Sequence, residues 1–227
     1  MRKFASLTLA ALLAAAPAAA FAEDAVGDWV GKVKVPAGVE LTIAAHIQKD
    51  AAGKLIGFSE SPDQTVTQLP MTDIAATPDA LSFAIPMVNA RYAGKWDPAA
   101  RAWAGVLTQA GLDMPLSLAR GVAPPRPVVA GLDGDWAGVL AAPQGDLRLR
   151  LHVKTGADGT LALFESPDQS PMKLVAFLTH EGDAVKIELK GVGGFEGRLS
   201  PDGQTLEGQW KQMGGALPLT LKKSSLP

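Results

Sequence analysis

The 227-residue chain contains no cysteine. That excludes a disulfide framework, a thiolate nucleophile and a lipid carried on cysteine. Histidine is scarce, with three in all, and no His-x-His or Asp/His cluster accompanies them, so no metal site is expected. Neither sign of charge dominates: 21 Lys and Arg stand against 23 Asp and Glu, a formal net charge of −2. Such a balance favours neither nucleic acid nor an anionic membrane surface. No Gly-x-Ser-x-Gly elbow and no glycine-rich phosphate loop before a helix is present. Ser170-Pro171-Met172-Lys173 and Lys154-Thr155-Gly156 match fragments of the penicillin-recognising enzymes, but in reversed order and without the intervening Ser-Asp-Asn. Nothing calls for a cofactor.

One long uncharged run exists, at the start. Arg2 and Lys3 precede an Ala/Leu-rich stretch ending in Ala20-Phe21-Ala22, the pattern of a signal peptide over residues 1–22 cleaved before Glu23. Loss of Arg2 and Lys3 would take the formal charge from −2 to −4. The expected product is a periplasmic or secreted bacterial protein that does not insert into the membrane once the signal is gone. Without disulfides, each domain has to be held by its core.

Residues 27–121 and 134–222 are two versions of one sequence. Gly27-Asp28-Trp29-Val30-Gly31 returns as Gly134-Asp135-Trp136-Ala137-Gly138, and Glu60-Ser61-Pro62-Asp63-Gln64 returns unchanged as Glu165-Ser166-Pro167-Asp168-Gln169. Further on, Tyr92, Gly94, Gly105, Gln109 and Leu116 match Phe195, Gly197, Gly208, Gln212 and Leu219 at one offset. A period near 100 residues is too long for a solenoid and suits two complete small domains. The prolines of Gly121-Val122-Ala123-Pro124-Pro125-Arg126-Pro127 mark a stiff, extended connection. The expected organisation is repeat 1 over 24–119, linker over 120–131 and repeat 2 over 132–224, with some relative motion of the repeats unless they share a large apolar interface.

Inside each copy the apolar period is two. Leu147, Leu149, Leu151 and Val153 alternate with Arg148, Arg150, His152 and Lys154, and Leu41, Ile43, Ala45 and Ile47 repeat the pattern. About eight such short strands per copy, separated by turns like Asp158-Gly159 and Asp202-Gly203, predict an all-β fold of two tandem antiparallel barrels.

Glu60, Ser61, Pro62, Asp63 and Gln64, with Glu165, Ser166, Pro167, Asp168 and Gln169, read first as a structural turn. Ser-x-x-Gln has the spacing of a capping box, and Pro sits where a backbone donor would be orphaned. A glycosidase-like carboxylate pair is the sharper alternative, but Glu165 and Asp168 lie three apart on one turn rather than across a cleft. His46 and His152 sit at equivalent strand positions on the face opposite the leucines, as half-exposed structural histidines; His180 falls in an expected turn. Trp29 and Trp136 are expected to plug one barrel end. Trp103, Trp96 and Trp210 exchange with Leu206, Leu199 and Leu107, an exchange that core packing tolerates.

The Gly-Asp-Trp-x-Gly start, the histidine strand, Ser-Pro-Asp-Gln, Tyr/Phe-x-Gly and the closing Leu-Pro-Leu resemble a small bacterial exported domain with a lipocalin-like fold. That domain often precedes serine-hydrolase or β-lactamase-like catalytic domains. The resemblance implies an accessory role and supplies no catalytic residues. Within these residues no hydrolase accompanies the repeats. The expected function is a noncatalytic binding or interaction module whose partner is an envelope protein or a small apolar ligand. The alternative is a carboxylate-based periplasmic hydrolase, which lacks a recognisable nucleophile or a His with a partnered acid. Smaller residues at Ala45 and Gly57, matching Leu151 and Ala162, predict more empty volume in the first barrel unless Trp96 and Trp103 fill it.

Overall fold

The computed structural model describes residues 24–36 and 38–224. The expected signal segment lies outside them. Repeat 1 runs through β1 (Gly27–Lys34), β2 (Glu40–Lys49), β3 (Leu55–Glu60), β4 (Leu69–Pro70), β5 (Thr72–Ala76), β6 (Ala80–Ile85), β7 (Ala90–Asp97), β8 (Ala102–Gln109) and β9 (Leu112–Arg120), with a 3-10 turn over Pro86–Val88. Repeat 2 contains β10 (Gly134–Ala142), β11 (Gly145–Gly156), β12 (Gly159–Glu165), β13 (Leu174–Glu181), β14 (Ala184–Leu189), β15 (Gly193–Leu199), β16 (Thr205–Gln212) and β17 (Gly215–Ser224). All pairings are antiparallel, as short alternating strands joined by tight turns require. The eight strands of repeat 2 close into a barrel, whereas repeat 1 is a nine-stranded curl ending at β4 and β5.

The difference between the copies sits at one strand. β13 is continuous, but its counterpart is broken into β4 and β5 around Met71. Pro70 cannot donate to a ladder, Asp73 takes a φ of 52°, and the β5–β6 register shifts between Thr72 and Ala75. Each barrel packs its own apolar cluster, around Trp29, Trp103 and Leu118 in one and Trp136, Ile187 and Leu206 in the other. Alternating residues point inward, so burial of these side chains is the main favourable term for each repeat.

The repeated motifs have steric explanations. Gly27 and Gly134 open β1 and β10 at φ of 133° and 124°, a region side chains avoid. In Tyr92-x-Gly94 and Phe195-x-Gly197 the aromatic ring lies over the glycine two residues on, where any Cβ would strike it. Trp29 and Trp136 are fully buried, and each indole N–H donates to the carbonyl four residues earlier, Ala25 at 2.8 Å and Leu132 at 2.9 Å. Arg120 and Lys223 lie over the two rings, at 4.5 and 5.3 Å from the centroids. Trp29, Trp96 and Trp103 meet edge to face at 5.1 to 6.1 Å, filling that end of the first barrel.

The linker does not stand free. The Pro127 carbonyl accepts from Thr160 N at 3.0 Å, Val129 N donates to Thr160 Oγ1 at 2.8 Å, and the Ala130 carbonyl meets His180 Nδ1 at 2.8 Å. His180 is therefore inside β13, not in the turn expected for it. The repeats touch through polar contacts: Val175 N donates to the Gln64 carbonyl at 3.0 Å, and Lys190 Nζ lies 3.1 Å from Asp63 Oδ1.

Candidate binding site

The Ser-Pro-Asp-Gln segments form turns in both copies, but the serine does not cap a helix. Gln64 N and Thr65 N donate to the Ser61 carbonyl, and Gln169 N and Ser170 N to the Ser166 carbonyl. The Ser61 hydroxyl donates to Gln64 Oε1 at 2.9 Å, while Ser166 Oγ is buried without a protein partner. The capping work falls to the aspartates. β3 pairs with β2 only as far as Glu60 opposite Ala44, leaving the Thr42 N–H without a strand partner; Asp63 Oδ2 accepts it at 2.6 Å. Asp168 Oδ2 does the same for Arg148 N at 2.7 Å, and its other oxygen takes the guanidinium at 2.6 Å. Those hydrogen bonds from Arg148 hold the Asp168 carboxyl below the usual carboxylate range. Thr42 and Ala44, which alternate with the inward Leu41, Ile43 and Ala45 of β2, are also buried here.

His46 and His152 have acidic partners, contrary to the expectation that no histidine would. Asp28 lies opposite His46 across β1 and β2, and its Oδ1 is 2.7 Å from Nδ1; Glu60 Oε2 stands 3.6 Å from Nε2. In repeat 2, Asp135 Oδ1 is 2.6 Å from His152 Nδ1 and Glu165 Oε1 is 3.2 Å from Nε2. Burial alone would raise the Glu165 carboxyl, but the hydrogen bond from His152 and the charge of Lys173, with Arg150, outweigh it and lower it. The His152 ring thus bridges three neighbouring strands on the outer face through hydrogen bonds at both nitrogens, whereas His46 is bonded at Nδ1 alone and its Nε2 is buried without a hydrogen-bond partner. The face is the one the alternation predicts. The pairing was legible only through register: a two-residue turn at Pro143-Gln144 puts Asp135 opposite His152. No group of three or more His, Asp or Glu side chains arranged to hold a metal occurs among the described residues.

Cavities lie at the barrel mouths beside the Ser-Pro-Asp-Gln turns, and another of about 670 Å³ lies between the linker prolines and both repeats, with Lys32, Glu40, Asp63 and Lys190 in its wall. In repeat 2 the ring of Phe164 stacks on Trp210 at 5.0 Å, leaving a mouth of about 170 Å³. The matching residues of repeat 1 are Ser59 and Leu107, and the mouth there is about 560 Å³. Its wall includes Ile43, Leu69, Ile85 and Leu107, with Met172 and Leu174 contributed by repeat 2. The mouth of the first barrel is the roomier one, but the space expected at Ala45 and Gly57 is not there. Met71 reaches over Gly57, and the three tryptophans occupy the opposite end. The Leu107/Trp210 exchange, read from sequence as neutral packing, falls at the two mouths.

The chain matches no protein-family model and no curated protein. Among solved structures it is similar to a protein of unknown function of the DUF3598 family from Nostoc punctiforme, at 9% identity and a TM-score of 0.30, over 88% of this chain and 96% of that one. Nothing about activity passes from that likeness to this chain.

Proposed function

We propose that the protein is a noncatalytic, exported binding module whose ligand site is the mouth of the first barrel. The observation that carries this reading is the contrast between two homologous mouths: one stoppered by Phe164 and Trp210, the other left at about 560 Å³ by Ser59 and Leu107. That volume is in the range of small-molecule sites, and its lining is mostly apolar with a few polar groups, the usual composition of such sites. Exposed Met87 and Met172 flank the opening, and thioether side chains adapt to varied apolar surfaces. Export is supported by the N-terminal sequence, and an accessory role to an envelope hydrolase by the resemblance of the repeats. The hydrolase alternative has no comparable support, because His152 is hydrogen-bonded by carboxylates at both nitrogens and His46 Nδ1 is held by Asp28, with Glu60 the acid nearest its Nε2.

The test is titration of full-length protein with the uncharged, environment-sensitive dye N-phenyl-1-naphthylamine. One saturable site is expected, and it is lost when Ser59→Phe and Leu107→Trp install the stopper of repeat 2. Absence of saturable binding, or full binding by a double variant with native melting behaviour, overturns the proposal.

A further inference from the structure

The mouth of the first barrel has two properties beyond its size. Among the described residues that line it, Glu60 is the one ionisable group, and no lysine, arginine or histidine takes part. Lys190 faces Asp63 at 3.1 Å and lies over the Phe177 ring at 4.4 Å, Lys173, between the wall residues Met172 and Leu174, pairs with Glu165 at 3.8 Å, and His46 is held by Asp28. The remaining polar lining is neutral, with Ser61, Gln64, Thr65 and Gln109 offering both donors and acceptors. An anionic head group would leave water for a partly apolar opening with no counter-charge and with a carboxylate beside it, an unfavourable transfer.

The second property is its wall. Met172 and Leu174 belong to repeat 2 yet line the mouth of repeat 1. They are held there by the backbone bond from the next residue, Val175 N, to the Gln64 carbonyl. Leu174 packs against the core of its own barrel, so the wall is anchored at both sides.

We propose that this mouth takes an uncharged amphiphile, an apolar chain with a hydroxyl, ester or amide head, and that repeat 2 completes the site. The proposal rests on the mouth being the ligand site. Repeat 1 supplies the cavity and the neutral hydrogen-bonding rim; Met172 and Leu174 supply the outer wall.

The experiment displaces N-phenyl-1-naphthylamine from full-length protein at mildly alkaline pH with two competitors of identical tail, monolauroylglycerol and laurate. Monolauroylglycerol is expected to displace at a concentration lower by about tenfold or more, since laurate alone brings an unpaired charge. Glu60→Gln narrows that gap by relieving like-charge repulsion. Met172→Asp, at an exposed position and with melting temperature measured alongside, weakens dye binding by about tenfold although it lies in the other repeat. Equal or better displacement by laurate overturns the head-group assignment, and unchanged dye affinity in Met172→Asp overturns the shared wall. In both cases loss of binding in the Ser59→Phe/Leu107→Trp variant still upholds the mouth as the site. Absence of dye binding by the unmodified protein overturns both readings together.

Discussion

Replacing Asp63 by alanine separates the two accounts of the Ser-Pro-Asp-Gln turn. In the structure its carboxylate accepts the Thr42 N–H at 2.6 Å and faces Lys190 at 3.1 Å. Asp63 and Thr42 are both 8% exposed, so water does not readily replace the lost acceptor. Leaving a buried donor unpaired costs about 1 to 3 kcal/mol. The partly exposed ion pair adds about 0.2 to 1 kcal/mol. Asp63→Ala should therefore destabilise repeat 1 by about 1 to 4 kcal/mol. Ser61→Ala removes one hydroxyl-to-amide bond, a loss of about 0.5 to 1.5 kcal/mol. Urea unfolding followed by tryptophan fluorescence measures both, since Trp29, Trp96 and Trp103 all report on repeat 1. Crossing Asp63→Ala with Lys190→Ala isolates the contact between repeats, with a coupling of about 0.5 kcal/mol or more expected for a real interaction. If Ser61→Ala proves as costly as Asp63→Ala, the serine and not the aspartate carries the turn. Zero coupling would refute the ion pair between repeats.

Three further outcomes are expected. Gly197→Ala drives a Cβ into the Phe195 ring and the Glu207 carbonyl; a loss of about 1 to 3 kcal/mol in chemical denaturation is expected for such overpacking, and a neutral result contradicts the close approach. The Glu165 carboxyl is lowered in the folded state, so its contribution is present above the ordinary glutamate range and disappears as pH falls through the folded value; melting temperature against pH should fall less steeply on the acid side in Glu165→Gln, and parallel curves would remove Glu165 from acid unfolding. Mass spectrometry after cell fractionation of a bacterial host should find the protein in the periplasm with Glu23 at its N-terminus, whereas protein confined to the cytoplasm with an intact Met1 would end the export reading.

The sequence by itself determined the fold class, because period-two alternation and closely spaced turns leave each strand one apolar face to bury, and antiparallel closure buries those faces. It also determined that the pattern is doubled, since the two copies share glycine, aromatic and turn positions at nearly constant offset. Tertiary structure alone decided the chemistry of the surface. Asp28 meets His46, and Glu60 approaches the same ring, through strand register, which brings together residues 14 to 18 positions apart. The capping role passed from serine to aspartate because β3 ends at Glu60 and leaves a specific donor, Thr42 N, to be satisfied. The open mouth likewise follows from two substitutions, Ser59 for Phe164 and Leu107 for Trp210. They are distant in sequence and become one gap only where β3 and β8 face each other across the barrel, because cavity volume belongs to contacts in space and not to any single position.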